Sequence, residues 1–219
     1  MEPLSVGVHS VFTQAKLQPA QSIAVFGCGP VGLLCMAVAK AIGALRIIAV
    51  DIVQSRLDFA KEYAATDVFQ PPPLQEGESK MAFSQRSASL LRATLGVEDR
   101  GSKAIDVVVD ASGAEVSIQT GILIARVGGT FVQVRLSLCP VDIFCTQSQV
   151  GMGHPEVVVP ITTFLAKELI LKGSFRYGVC IISTYVAPRL TCDKPGDYRL
   201  ALVLATQKKV DLRPLVTHR

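Results

Sequence analysis

Residues 22–51 read SIAVFGCGPVGLLCMAVAKAIGALRIIAVD. The apolar run SIAVF (22–26) leads straight into a turn holding Gly27, Gly29, Pro30 and Gly32. Residues 31–42 (VGLLCMAVAKAI) have the length and composition of a helix, and Gly43 marks its end. A second apolar run, RIIAV (46–50), closes on Asp51. Strand, glycine turn, helix and strand in this order predict a parallel crossover unit, in which the helix carries the second strand back beside the first. The stretch 23–39 is the most apolar of the chain, but its glycines and Pro30 would break a spanning helix, which needs about 20 apolar residues.

The same alternation continues outward. Residues 54–64 predict an amphipathic helix with Leu57, Ala60, Lys61 and Ala64 at helical spacing, and 66–69 a third short strand. Residues 70–83, rich in Pro, Glu and Lys, read as a loop and 84–95 as a helix. AIDVVVD (104–110) reads as a strand ending in Asp110-Ala111-Ser112-Gly113, and 114–125 as a helix. Gly128-Gly129 precede a strand at 130–134, with a further strand at 169–174 and a helix at 197–207. Short buried strands alternating with helices define the α/β class, here a Rossmann-like doubly wound parallel sheet.

Composition agrees. A chain of 219 residues with 49% apolar and 18% charged side chains can bury a sizeable core. The net charge of +4 is spread without a basic block, which argues against a nucleic-acid partner. The opening MEPLSVGVHS lacks the order of a secretory signal, so a cytoplasmic chain with no membrane span is expected. The six cysteines include no CxxC pair, and Cys28 and Cys35 read as small buried thiols.

Gly27-Cys28-Gly29-Pro30-Val31-Gly32 fits G-x-G-x-x-G in the strand-to-helix context that pattern requires. Gly27 allows the tight turn, Gly29 admits a pyrophosphate against the backbone, and Gly32 lets the helix pack close. The helix N-terminus offers N–H groups and a positive dipole end to the phosphates, and Pro30 is tolerated in the first turn. Asp51 is placed to accept the ribose hydroxyls of an adenosine and to repel a 2′-phosphate, which favours NAD over NADP. Arg56 lies over the adenine or pairs with Asp51. The alternative is that the glycines only make a turn and Asp51 only caps a helix. A methyltransferase is the rival within the fold.

These residues extend into a longer match. The chain resembles the zinc-dependent medium-chain dehydrogenases, and within them the polyol branch: the fungal xylitol, sorbitol and arabinitol dehydrogenases. The matching segments are EPLSVGVHS (2–10), VFGCGPVGLLCMAVAKAIGA (25–44), VDIVQSRLDFAKEYAATDVF (50–69), DVVVDASGAE (106–115), VGGTFVQV (127–134), GMG (151–153), KGSFRYG (172–178) and LVTHR (215–219). The resemblance implies that residues 21–219 are the NAD(P)-binding Rossmann domain. Residues 1–20 would be a remnant of the segment joining a missing GroES-like catalytic domain, so the fold is expected to be truncated at both ends. It implies NAD as cofactor and zinc in the family, with the zinc ligands upstream of this chain. Gly27, Gly29, Pro30, Val31, Gly32, Asp51, Arg56 and Ser112 would serve the dinucleotide. Gly151, Met152, Gly153 and Phe175 would flank the nicotinamide. Arg176 and Tyr177 would reach the nicotinamide and the polyol hydroxyls. Glu2 matches a glutamate beside the zinc and substrate. The partners implied are a small-molecule polyol and, as in the family, further copies of the chain paired through edge strands. In such an enzyme zinc lowers the alcohol's pKa and hydride passes to NAD; this chain alone is expected to oxidise little or no polyol.

Other readings stand beside these. Arg176 and Tyr177 also fit a surface ion pair and a half-buried ring. Glu2, second in the chain, is expected to be disordered. His9 fits a helix face better than a metal site, and His154 and His218 have no partner in sequence. The chain also reads as a non-catalytic nucleotide-binding fragment. Two segments, 135–150 (RLSLCPVDIFCTQSQV) and 179–192 (VCIISTYVAPRLTC), interrupt the family pattern and read as translated introns or real loops. Their Cys139, Cys145, Cys180 and Cys192 match no zinc spacing.

Overall fold

The computed structural model describes residues 2–135, 156–175 and 196–215. Among these residues six strands form one sheet: β1 (Ser22–Phe26), β2 (Arg46–Val50), β3 (Asp67–Phe69), β4 (Ile105–Asp110), β5 (Ala125–Arg135) and β6 (Ile170–Phe175). Their order is β3-β2-β1-β4-β5-β6, and every pairing is parallel. The chain winds outward from β1 in one direction, then crosses back and winds out in the other. That reversal leaves a crevice at the carboxyl ends of β1 and β4.

Every residue of β1 is buried, as a parallel strand covered on both faces requires. The pleat sends Ile23 and Val25 to one layer and Ala24 and Phe26 to the other. The first layer is closed by α1 (Glu2–Val8), α2 (Pro30–Ile42), α3 (Gln54–Tyr63) and α7 (Asp197–Thr206). The second is closed by α4 (Lys80–Leu95) and α5 (Glu115–Ile124). The short α6 (Ile161–Ala166) buries no residue completely, though Phe164 packs against the second layer. The stretch 23–39 is thus split into β1, turn and α2, and among the described residues no helix is long and apolar enough to cross a membrane.

Three sequence expectations are corrected. Helix α4 begins at Lys80, because the Ser79 hydroxyl accepts from the Ala82 N–H at 3.2 Å and caps it; the loop before it is correspondingly shorter. Gly128 and Gly129 lie inside β5, not before it. Ala125 already pairs with Ile105, and the register slips before Thr130 meets Val107. Glu2 is not disordered: it opens α1, which is anchored by Leu4, Val6 and Val8 in the core. Below α1, His9–Gln14 form a π-helical turn. Arg135, first residue of the first anomalous segment, still belongs to β5. The rest of that segment, all of 179–192, their four cysteines, His154 and His218 lie outside the described residues.

Candidate functional site

The turn after β1 is shaped by contacts that tolerate no side chain at two positions. Gly27 has φ +91°, and its N–H donates to the Val50 carbonyl at 2.8 Å. A Cβ on Gly32 would lie 1.8 Å from the Gly27 carbonyl oxygen, so α2 leaves the turn at a distance only glycine permits. Gly29 differs: it is the N-cap of α2, with Pro30 at the first turn, and a Cβ built on it meets nothing within 4 Å. The space in front of Gly29 is open, and the N–H groups and positive dipole end of α2 face a cradle that a side chain there would fill.

Asp51 closes one side of that cradle. It is 8% exposed. Its Oδ2 accepts the Cys28 N–H at 2.7 Å, and its Oδ1 accepts the Val53 N–H at 2.9 Å. The carboxylate therefore ties the glycine turn to the loop after β2. Each oxygen keeps a further lone pair for a hydroxyl donor. The Arg56 guanidinium stands 4.0 Å from Oδ2, mostly in solvent, so of the two roles expected for it the structure displays the approach to Asp51. Burial, with Asp51 adding to it, pushes the Cys28 thiol up to about 12. Cys28 thus stays protonated and is no nucleophile.

The other side is the turn after β4. A Cβ on Gly27 would come 3.0 Å from the Ser112 nitrogen, so the turns after β1 and β4 abut. Beneath them Asp110 is fully buried. Its Oδ1 accepts from the Ser112 hydroxyl at 2.7 Å and the Ser112 N–H at 3.2 Å. Its Oδ2 accepts from the Gly113 N–H at 2.9 Å and the Gln133 Nε2 at 2.7 Å. Burial raises the Asp110 pKa, and these donors oppose the rise. Asp110 and Gln133 were not among the residues singled out by sequence. The available signal was a charged residue closing a run of valines, which has no place in a core strand without partners.

The structure therefore brings Gly27, Gly29, Pro30, Val31, Gly32, Asp51, Arg56 and Ser112 to the carboxyl ends of β1, β2 and β4. Phe175 ends β6 at the same edge of the sheet, half-exposed. Glu2 is exposed at the start of α1. Gly151, Met152, Gly153, Arg176 and Tyr177 lie outside the described residues. Among the described residues no group of three or more His, Cys, Asp or Glu side chains could hold a metal ion. His9, expected on a helix face, is on the π-helical turn, where its Nδ1 meets Asp197 Oδ2 at 2.7 Å. A groove of about 360 Å³ elsewhere is lined by Lys40, Tyr63, Lys208 and Lys209. It gathers the carboxyl ends of α2, α3 and α7, and Lys40 Nζ donates there to the Tyr63 carbonyl at 3.3 Å.

A family model described as zinc-binding dehydrogenase matches residues 30–188. A probable D-xylulose reductase A of Aspergillus niger is 45% identical over 217 residues, covering 99% of this chain and 48% of the relative. D-xylulose reductase A of Aspergillus oryzae is 42% identical over the same length and shares. The crystal structure of L-idonate 5-dehydrogenase from Escherichia coli superposes with a TM-score of 0.65 at 24% identity, covering 98% of this chain and 46% of that one. That of 2R,3R-butanediol dehydrogenase from Bacillus subtilis does so with a TM-score of 0.64 at 21% identity, covering 96% and 46%. At those identities the solved structures establish the fold alone. The chain spans about half the length of the curated relatives it matches. With most of its length matched by the family model, and β1, the glycine turn and α2 built as that fold requires, the chain belongs to the zinc-binding dehydrogenases.

Proposed function

We propose that this chain is the cofactor-binding portion of an NAD-dependent polyol dehydrogenase, in which hydride passes from a xylitol- or sorbitol-type alcohol to NAD. The observation that carries the reading is the open space over Gly29 at the N-terminus of α2, with Asp51 fixed beside it. The residues present fit the dinucleotide. Backbone N–H groups and the α2 dipole bind the diphosphate. Asp51 accepts the ribose hydroxyls, and its charge opposes a 2′-phosphate, so NAD is preferred to NADP. The nicotinamide supplies the hydride acceptor, and the sheet edge from β4 to β6 orients it. The polyol class is supported by the D-xylulose reductases among the relatives.

The described residues do not fit zinc, and no step is assigned to the metal. The proposal holds that this chain alone turns over little polyol, and a non-catalytic nucleotide-binding fragment is the alternative reading. Self-association along β6 and a cytoplasmic location belong to the same proposal. The first is supported by an edge that has one strand neighbour among the described residues and half-exposes Ile170, Leu171 and Phe175. The second is supported by the free thiols of Cys28 and Cys35 in the core.

The test is calorimetric titration of the purified chain with NAD, NADP and S-adenosylmethionine. NAD is expected to bind most tightly, and Asp51→Ala to weaken it at least about tenfold. No binding of NAD, or an Asp51→Ala variant that binds it equally well, refutes the reading. Preference for S-adenosylmethionine would turn it toward methyl transfer.

A further inference from the structure

We infer that Ser10 and Ser174 are positioning residues: a buried hydroxyl pair that sets where the end of β6 stands beneath the nicotinamide half of the dinucleotide. The inference rests on the cofactor reading above.

Strand β6 is the outermost of the sheet, with β5 its one strand neighbour among the described residues. Within one chain the position of such a strand is set by its pairing with β5 and by what meets its face. Two alternate side chains of β6, Lys172 and Ser174, meet the π-helical turn. Lys172 Nζ donates to the Gln14 carbonyl at 2.7 Å. The Ser174 and Ser10 hydroxyls lie 2.9 Å apart, and both residues are buried, at 1% and 0% exposure. Their direction follows from a third bond. The Ser10 hydroxyl donates to the Val6 carbonyl at 2.8 Å, so its oxygen receives the Ser174 proton. The Cys35 thiol of α2 lies against the same Ser10 hydroxyl. One side chain therefore touches α1, α2 and β6 together.

Ser174 immediately precedes Phe175, the half-exposed residue that ends β6. Asp51 and the glycine turn commit the adenosine half to the β1–β2 side of the crevice. The other half of a dinucleotide then lies over the carboxyl ends of β4, β5 and β6. A buried pair of hydroxyls adds little net stability, but it specifies one register of the strand against the turn. The position of Phe175 under the ring thus depends on Ser10, far from it in sequence.

The experiment compares NAD with ADP-ribose, which lacks the nicotinamide, by calorimetry on the purified chain and on Ser174→Ala, Ser174→Thr and the double variant Ser10→Ala with Ser174→Ala. Thermal melting checks that each is folded. Ser174→Ala is expected to weaken NAD about fivefold, the worth of one hydrogen bond's positioning, and to leave ADP-ribose unchanged. Ser174→Thr keeps the hydroxyl and is expected to restore NAD affinity. The double variant leaves no hydroxyl unpaired at the contact and is expected to reproduce the selective loss. The inference is overturned if folded variants lose both ligands equally or neither, or if the unaltered chain binds NAD no better than ADP-ribose. If the unaltered chain fails to bind ADP-ribose at all, the cofactor reading itself falls and takes the inference with it.

Discussion

Gly29 and Gly32 are separated by one turn of helix, and the structure demands opposite outcomes when each becomes alanine. At Gly29 the backbone is extended, with φ −73° and ψ −179°, and a methyl group meets no atom within 4 Å. Alanine is a poorer N-cap than glycine by up to ~1 kcal/mol. It also removes ~0.4–1 kcal/mol of unfolded-state freedom. The two effects oppose each other, so the stability of Gly29→Ala is expected to stay within about 0.5 kcal/mol of the unaltered chain. In the proposed complex, however, its methyl group occupies the place of a phosphate oxygen. Loss of one charge-assisted hydrogen bond there, about 1.5–3 kcal/mol, lowers NAD affinity about 10- to 100-fold. At Gly32 the added carbon would stand 1.8 Å from the Gly27 carbonyl oxygen and 2.9 Å from its carbon. Neither atom is the end of a flexible side chain, so the whole turn must move. Overpacking of that kind costs up to about 3 kcal/mol. For a chain of this size the melting temperature then falls by ~6–12 °C. Scanning calorimetry gives the stabilities and titration calorimetry the affinities. A Gly29→Ala variant that binds NAD as the unaltered chain does, or that loses affinity only in step with stability, refutes the placement of the diphosphate.

Asp99 offers a test by acid. The Arg92 guanidinium, helped by Lys167, holds its carboxyl well below the usual carboxylate range, against the effect of burial. A depressed folded pKa stabilises above the unfolded value of about 3.9 and loses that contribution as pH falls below it. Urea midpoints between about pH 5 and pH 2 should therefore fall less steeply for Asp99→Asn than for the unaltered chain; equal slopes would refute the assignment. Lys167 Nζ also donates to the Ala125 carbonyl at 2.8 Å. Lys167→Met removes that donor from the α5–β5 junction and is expected to cost about 1–2 kcal/mol in urea unfolding, with NAD affinity unchanged.

The first crossover unit was legible because its physics is local. Burial on both faces turns β1 and β2 into uninterrupted apolar runs, and the Gly32 contact with Gly27 is written in the motif itself. Other features depend on partners that no local pattern names. Ser79 caps α4 from within a Pro- and Glu-rich run that reads as loop. Gly128 and Gly129 look like strand breakers, yet they lie where β5 shifts register against β4. The charge of Asp110 was visible in the sequence, but not the donors from Ser112, Gly113 and Gln133 that justify its burial. Ser10 with Ser174, and His9 with Asp197, are separated by 164 and 188 residues. They meet only because a π-helical turn carries the N-terminal segment across the face of the finished sheet.

The abutting turns after β1 and β4 have an entropic consequence. Phe26 accepts the Ala111 N–H at 2.8 Å, Gly27 is bonded to Val50, and the Cys28 N–H is bonded to Asp51. Three successive residues at the crest of the central strand are thus immobilised before any ligand arrives. Association at this point requires little ordering of the protein, so more of the interaction energy survives as affinity. The encounter rate should accordingly reflect diffusion and docking, with no slow rearrangement of the crest preceding it.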